Sequence, residues 1–77
     1  MLTPQKPLHR KDLVLHAVVL EVGLDKFCSM LHAPSAEVAL ALAKRLHPVM
    51  NDPRARAFRF EQEHIESLLF NDDYIFI

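Results

Sequence analysis

Seventy-seven residues are enough for one domain and too few for two. Hydrophobic residues at 51% against 25% charged describe a chain that folds around a core rather than staying disordered. The single glycine, Gly23, excludes the glycine-rich phosphate loops, and the single cysteine, Cys28, excludes an internal disulfide. The net charge of −1 hides an asymmetry. Residues 1–60 carry all nine Lys and Arg against five acids, and residues 61–77 carry five acids and no base. No block of five or six like charges marks a tail for nucleic acid or membrane.

Residues 1–12 read as a flexible N-terminal arm, because Pro4 and Pro7 oppose helix there, and residues 13–77 read as a single α+β domain. The arm lacks the apolar run of a signal peptide, and the longest apolar run in the chain, Val38 to Ala43, falls far short of a membrane span. A cytoplasmic protein with no membrane contact is the expectation.

Leu13 to Val22 is rich in β-branched residues and closed by Gly23, which predicts a strand. Both of its faces are apolar, so both need cover. Leu24 to Ala33 admits two readings. Leu24, Phe27, Cys28 and Leu31 have helical spacing, while Gly23-Leu24-Asp25-Lys26 suits a hairpin loop with Phe27 to Ala33 returning as a strand. The hairpin is favoured, since a long strand needs a neighbour.

Pro34-Ser35 opens the main helix, residues 35–49 at its widest. Ser35 serves as the cap, Glu37 lies at the positive end of the dipole, and Lys44, Arg45 and His47 lie at the negative end before Pro48. Val38, Ala39, Leu42, Ala43 and Leu46 are assigned to its core face, with Leu42 at the buried centre. Asn51-Asp52-Pro53 reads as a turn, 54–61 as a strand, 61–70 as a short helix, Asn71-Asp72-Asp73 as a turn and Tyr74 to Ile77 as a terminal strand. The fold class that follows is a small two-layer sandwich, a mixed or antiparallel sheet of three or four strands packed on one main helix.

The hairpin ahead of the Pro34-Ser35 helix entry resembles the ubiquitin-like β-grasp layout in outline. The chain ends Ile75-Phe76-Ile77, without the Gly-Gly that conjugating members of that fold carry, so the resemblance implies no activity.

Candidate chemistry is sparse. His9, His16, His32, His47 and His64 form no close ligand pair, although His16 and His32 could meet across the hairpin with Cys28 nearby. Glu61 and His64 have i, i+3 spacing, yet a di-iron site needs two such motifs and two further glutamates. Cys28 could act as a nucleophile beside His32, but a lone cysteine is more often a small buried apolar group. Arg56-Ala57-Phe58-Arg59-Phe60 has the arginine and aromatics of an RNA-recognition strand without its glycine, and Glu61-Gln62-Glu63 follows directly. No catalytic, cofactor-binding or metal residue is assigned, and the expectation is no enzyme and no cofactor.

The function expected is a small non-catalytic protein–protein interaction module: an adaptor, an inhibitor or an accessory or regulatory subunit of a larger complex. Its partner is another protein or a second copy in a homodimer. The apolar strand surface at Val14, Val18, Leu20, Tyr74 and Phe76 is taken as the partner-binding site. The alternative is a nucleic-acid-associated regulator using Arg54, Arg56 and Arg59, which the near-neutral charge disfavours.

Overall fold

A computed structural model describes residues 12–77. The arm expected over residues 1–12 lies, Asp12 apart, outside the described residues.

Val14–Val22 forms β1 and Asp25–Ala33 forms β2, paired antiparallel from Val14 opposite Ala33 to Val22 opposite Asp25. The connection is the two-residue turn Gly23-Leu24, tighter than the four-residue loop expected. Gly23 sits at φ +60 in its first position, as the II′ hairpin turn requires.

Ala36–Leu46 forms α1. The Ser35 side chain accepts a hydrogen bond from the Val38 N–H at 3.2 Å, which meets one of the free donors of the first turn. Pro48 ends the helix, and Pro48–Met50 makes a single 3₁₀ turn that drives Met50 into the core. Asp52 then folds the chain back, its carboxylate accepting from the Arg54 N–H at 2.8 Å.

Arg56–Arg59 forms β3, antiparallel to β1, and Tyr74–Phe76 forms β4, parallel to β2. The four-stranded mixed sheet has the order β3-β1-β2-β4. The likeness to the β-grasp outline stops at the hairpin that precedes the helix. After α1 the chain adds a strand at one edge of the sheet and then another at the opposite edge.

Two crossovers make this order possible. The first carries α1 across one face from β2 to β3. The second, between Phe60 and Tyr74, crosses the other face from β3 to β4. Between them they cover β1 on both sides. On the α1 face Val18, Leu20, Ala33, Met50 and Ala55 pack with Ala39 and Ala43 of the helix. On the far face Ala17, Val19 and Cys28 are capped by Leu68. Leu68 belongs to one wide π-helical turn, Ile65–Leu69, closed by the Phe70 N–H to the Ile65 carbonyl at 3.2 Å. It stands where a longer helix over 61–70 was expected.

The face that α1 buries is only part of the expected one. Ala39 and Ala43 are inaccessible, while Leu42 is 37% and Leu46 66% exposed. Both stripes satisfy the 3.6-residue period, so periodicity alone does not choose between them. Size does. The sheet presents bulky Val18, Leu20, Phe27 and Leu31, and alanines opposite them let the helix approach closely.

Met50 therefore holds the position that Leu42 was expected to hold. Met50→Ala is expected to cost about 2–5 kcal/mol, as buried large-to-small changes do. Leu42→Ala is expected to stay within about 1 kcal/mol. Urea melts of the two variants check the ordering.

Candidate functional site

A four-stranded sheet is roughly 19 Å wide at about 4.8 Å per strand, and a helix with its side chains spans about 10–12 Å. One helix cannot cover such a face. α1 packs on β1, β2 and β3, and leaves the β4 side open. Ile75, whose pairing with Phe27 places it on the α1 face, is 49% exposed there.

The helix adds its own apolar surface on that side. Ala36 and Leu40 line a groove against β3. Val38, Leu42 and Leu46 lie at four-residue spacing and run down the flank turned away from it. Val38 is 39% exposed, and Val49, in the turn after the helix, is 42% exposed. Large aliphatic side chains in a row are a costly surface to leave in water and a suitable one to offer to another protein. The sequence reading missed these residues because it spent them on the core. The signal available was the alanine stripe Ala36, Ala39, Ala43, one helical position aside.

The five residues expected to bind a partner do not share a surface. Val18 and Leu20 are buried beneath α1 and serve the core, so no partner reaches them in this fold. The cause is that α1 sits over this face of β1. Val14, half-buried, is on the same face. Tyr74 and Phe76 pair with Lys26 and Cys28, so they lie on the far face. Tyr74 is half-buried there with the Lys26 ammonium 5.8 Å from its ring centroid. Burial and the neighbouring Glu21 carboxylate push the Tyr74 hydroxyl pKa up. Phe76 stays 44% exposed.

The chemical candidates separate in the same way. His16 pairs with Leu31 and His32 with Leu15, so the two histidines occupy opposite faces of the sheet and cannot meet across the hairpin. His16 is buried and its Nδ1 lies 2.7 Å from the Val14 carbonyl, which fixes the ring locally. Cys28 and His32 share a face four residues apart, a separation of about 13 Å along a strand and too far for proton transfer. Burial pushes the Cys28 thiol up to about 11. A thiol in that state is not a nucleophile at neutral pH.

His64 does not join Glu61 through its carboxylate. The Glu61 backbone N–H donates to His64 Nδ1 at 3.0 Å, which closes a turn, and the imidazole lies over the Phe58 ring with centroids 4.8 Å apart. Phe58 and Phe60 are thus half-covered from the side on which a stacked base would lie. Among the described residues, no group of three or more His, Cys, Asp and Glu gathers to hold a metal ion. None of their helices is long and apolar enough to cross a membrane.

Of the arginines, Arg54 is clamped by Asp52, with Nε and Nη2 donating to the two carboxylate oxygens at 3.0 and 2.9 Å. That hydrogen bonding holds the Asp52 carboxyl down at about 2. Arg56 faces the Val19 side of the sheet and Arg59 the His16 side, so the three guanidinium groups form no common basic face.

Cys28 supplies a check on the far-face packing. The native thiol is expected to resist a disulfide reagent at pH 8 and to react at once in denaturant. Its folded pKa of about 11 stands above the ordinary 9.0, so the unfolded chain loses this proton first. The stabilising contribution is intact below pH 9 and is lost as pH climbs towards 11. Urea melts across that window are expected to show falling stability, and Cys28→Ala is expected to remove the part due to this group.

Compared with protein-family models, curated proteins and solved structures, the chain matches none.

Proposed function

We propose that the protein is a small non-catalytic interaction module, an adaptor, inhibitor or accessory subunit, acting in the cytoplasm on another protein or on a second copy of itself. The observation that carries this reading is the row Val38, Leu42 and Leu46, left exposed beside the open β4 side of the sheet. Surfaces of this kind belong to protein–protein contacts more often than to free monomers. The two-fold homodimer is the commonest way for such a surface to be covered. The raised pKa of the buried Cys28 thiol and the placing of His16 and His32 on opposite faces of the sheet support a role without catalysis.

The nucleic-acid reading through Arg54, Arg56 and Arg59 draws no comparable support. One of these arginines is already paired, and the other two face opposite sides of the sheet.

The test is the double variant Leu42→Asp, Leu46→Asp. Both side chains are well exposed, so the fold is expected to survive with a small change in thermal midpoint. Light scattering on a sizing column at high micromolar concentration, with tagged pull-down from the native host, is expected to show association for the natural chain and none for the variant. A natural chain that is monomeric and recovers no partner would refute the proposal.

A further inference from the structure

β3 is an edge strand, and its pairing fixes which of its main-chain groups are committed. The Phe60 N–H donates to the Leu15 carbonyl at 2.9 Å, directly beyond the end of the β1–β3 ladder. Because main-chain groups alternate along a strand, Phe58 and Arg56 also bond towards β1. The N–H and C=O groups of Ala57 and Arg59 point away from the sheet, and among the described residues nothing bonds to them. Two donors and two acceptors stand ready for another strand.

This edge carries a recess on each face at the same level. On the α1 face a groove of about 260 Å³ is lined by Ala36, Glu37, Leu40, Ala55, Arg56 and Ala57. On the far face one of about 270 Å³ is lined by Val19, Glu21, Arg54 and Arg56. The first is floored by methyl and isobutyl groups. The second carries two guanidinium groups against one carboxylate. Arg54 is engaged by Asp52, while Glu21 and Arg56 both act on the Tyr74 hydroxyl, in opposite senses. Arg56 makes no hydrogen bond or ion pair among the described residues, so its guanidinium keeps its donors for an incoming carboxylate in a recess it shares with Glu21.

We infer that the β3 edge takes an extended segment of a partner protein by strand addition, and that the segment carries an aliphatic residue next to an acidic one. Successive side chains of a strand point to opposite faces. When the incoming main chain bonds to Ala57 and Arg59, one side chain enters the apolar groove beside Leu40. Its neighbour enters the far recess, where a carboxylate meets Arg56. Main-chain bonds supply the affinity and the paired recesses the selectivity, as in other strand-addition sites. A second copy of β3 fits poorly, because it brings its own Arg54, Arg56 and Arg59 against these three. The inference rests on the reading of the protein as an interaction module, but it uses a different surface from the α1 flank.

The probe is an acetylated, amidated nonapeptide of alternating threonine and valine with leucine–aspartate at its centre, fluorescently labelled and followed by polarisation. The natural chain is expected to bind it with shifts in the Ala57 and Arg59 amide resonances. N-methylation of the alternate amides that face β3 is expected to weaken binding more than tenfold, and methylation of the other set to change it little. Replacing aspartate by asparagine is expected to weaken binding about fivefold, the scale of an exposed charge pair. The same replacement is expected to have no effect on Arg56→Gln. Binding kept by the Leu42→Asp, Leu46→Asp variant separates this site from the α1 flank. Three results would overturn the inference: no binding at millimolar peptide, indifference to both methylation sets, or displacement of the peptide by an oligonucleotide. Self-association that Arg59→Pro abolishes would assign the edge to a second copy instead.

Discussion

Burial of β1 on both faces is the constraint from which the rest of the architecture follows. A strand reading Val14 to Val22 has no wet side, so each face needs its own layer. The chain provides a full helix for one and little more than a turn for the other. Ala17, Val18, Val19 and Leu20 are all buried as a result, under two layers of very different size. The thin layer suffices because the far face is locally small: Ala17 and Cys28 leave a shallow surface that Leu68, Phe58 and Tyr74 can close. The helix layer is thicker but narrower than the sheet beneath it, and the remainder becomes surface.

Local chemistry made much of this readable. Gly23 marked the hairpin, Ser35 and Pro48 bracketed α1, and the apolar run of β1 announced a strand covered twice. Two things were hidden. Which stripe of α1 faces inward depended on the bulk of the β1 and β2 side chains below it, a fact of packing with no trace in the helix's own periodicity. Which side of the sheet β4 joins depended on where a thirteen-residue connection, 61–73, could lie, and nothing in those residues states it. Two of the expected partner residues are covered because α1 lies over their face of β1. Val18 and Leu20 are apolar because they are core, and a strand sequence does not distinguish an apolar residue that is covered from one that is offered.

The two surfaces described have a common origin. An eleven-residue helix on a four-stranded sheet leaves one flank and one edge without cover. The flank away from β3 gathers aliphatic side chains, while the β3 side has main-chain groups and arginines. The difference matters because aliphatic surface attracts without direction, whereas a strand edge accepts only a chain in the right register. The edge is also guarded. Four residues is short, and Arg56 and Arg59 discourage indiscriminate pairing. A partner must then answer both a geometry and a charge.

The path of the chain around its own sheet has a consequence for how the molecule opens. β3 is the hinge between the two crossovers, entered from α1 and left through the segment that carries Leu68. Detaching it slackens both layers at once and unroofs β1 on either side, so its release is inseparable from global unfolding. β4 is different. It contributes three residues, of which only Tyr74 packs against the far-face core, and is tied to β2 along one side, with the Ile77 N–H reaching the Cys28 carbonyl at 2.9 Å. It can peel away while the rest stands. The sheet therefore has one edge that breathes and one that is locked. The locked edge, β3, keeps a fixed shape while its outer groups stay free to bond.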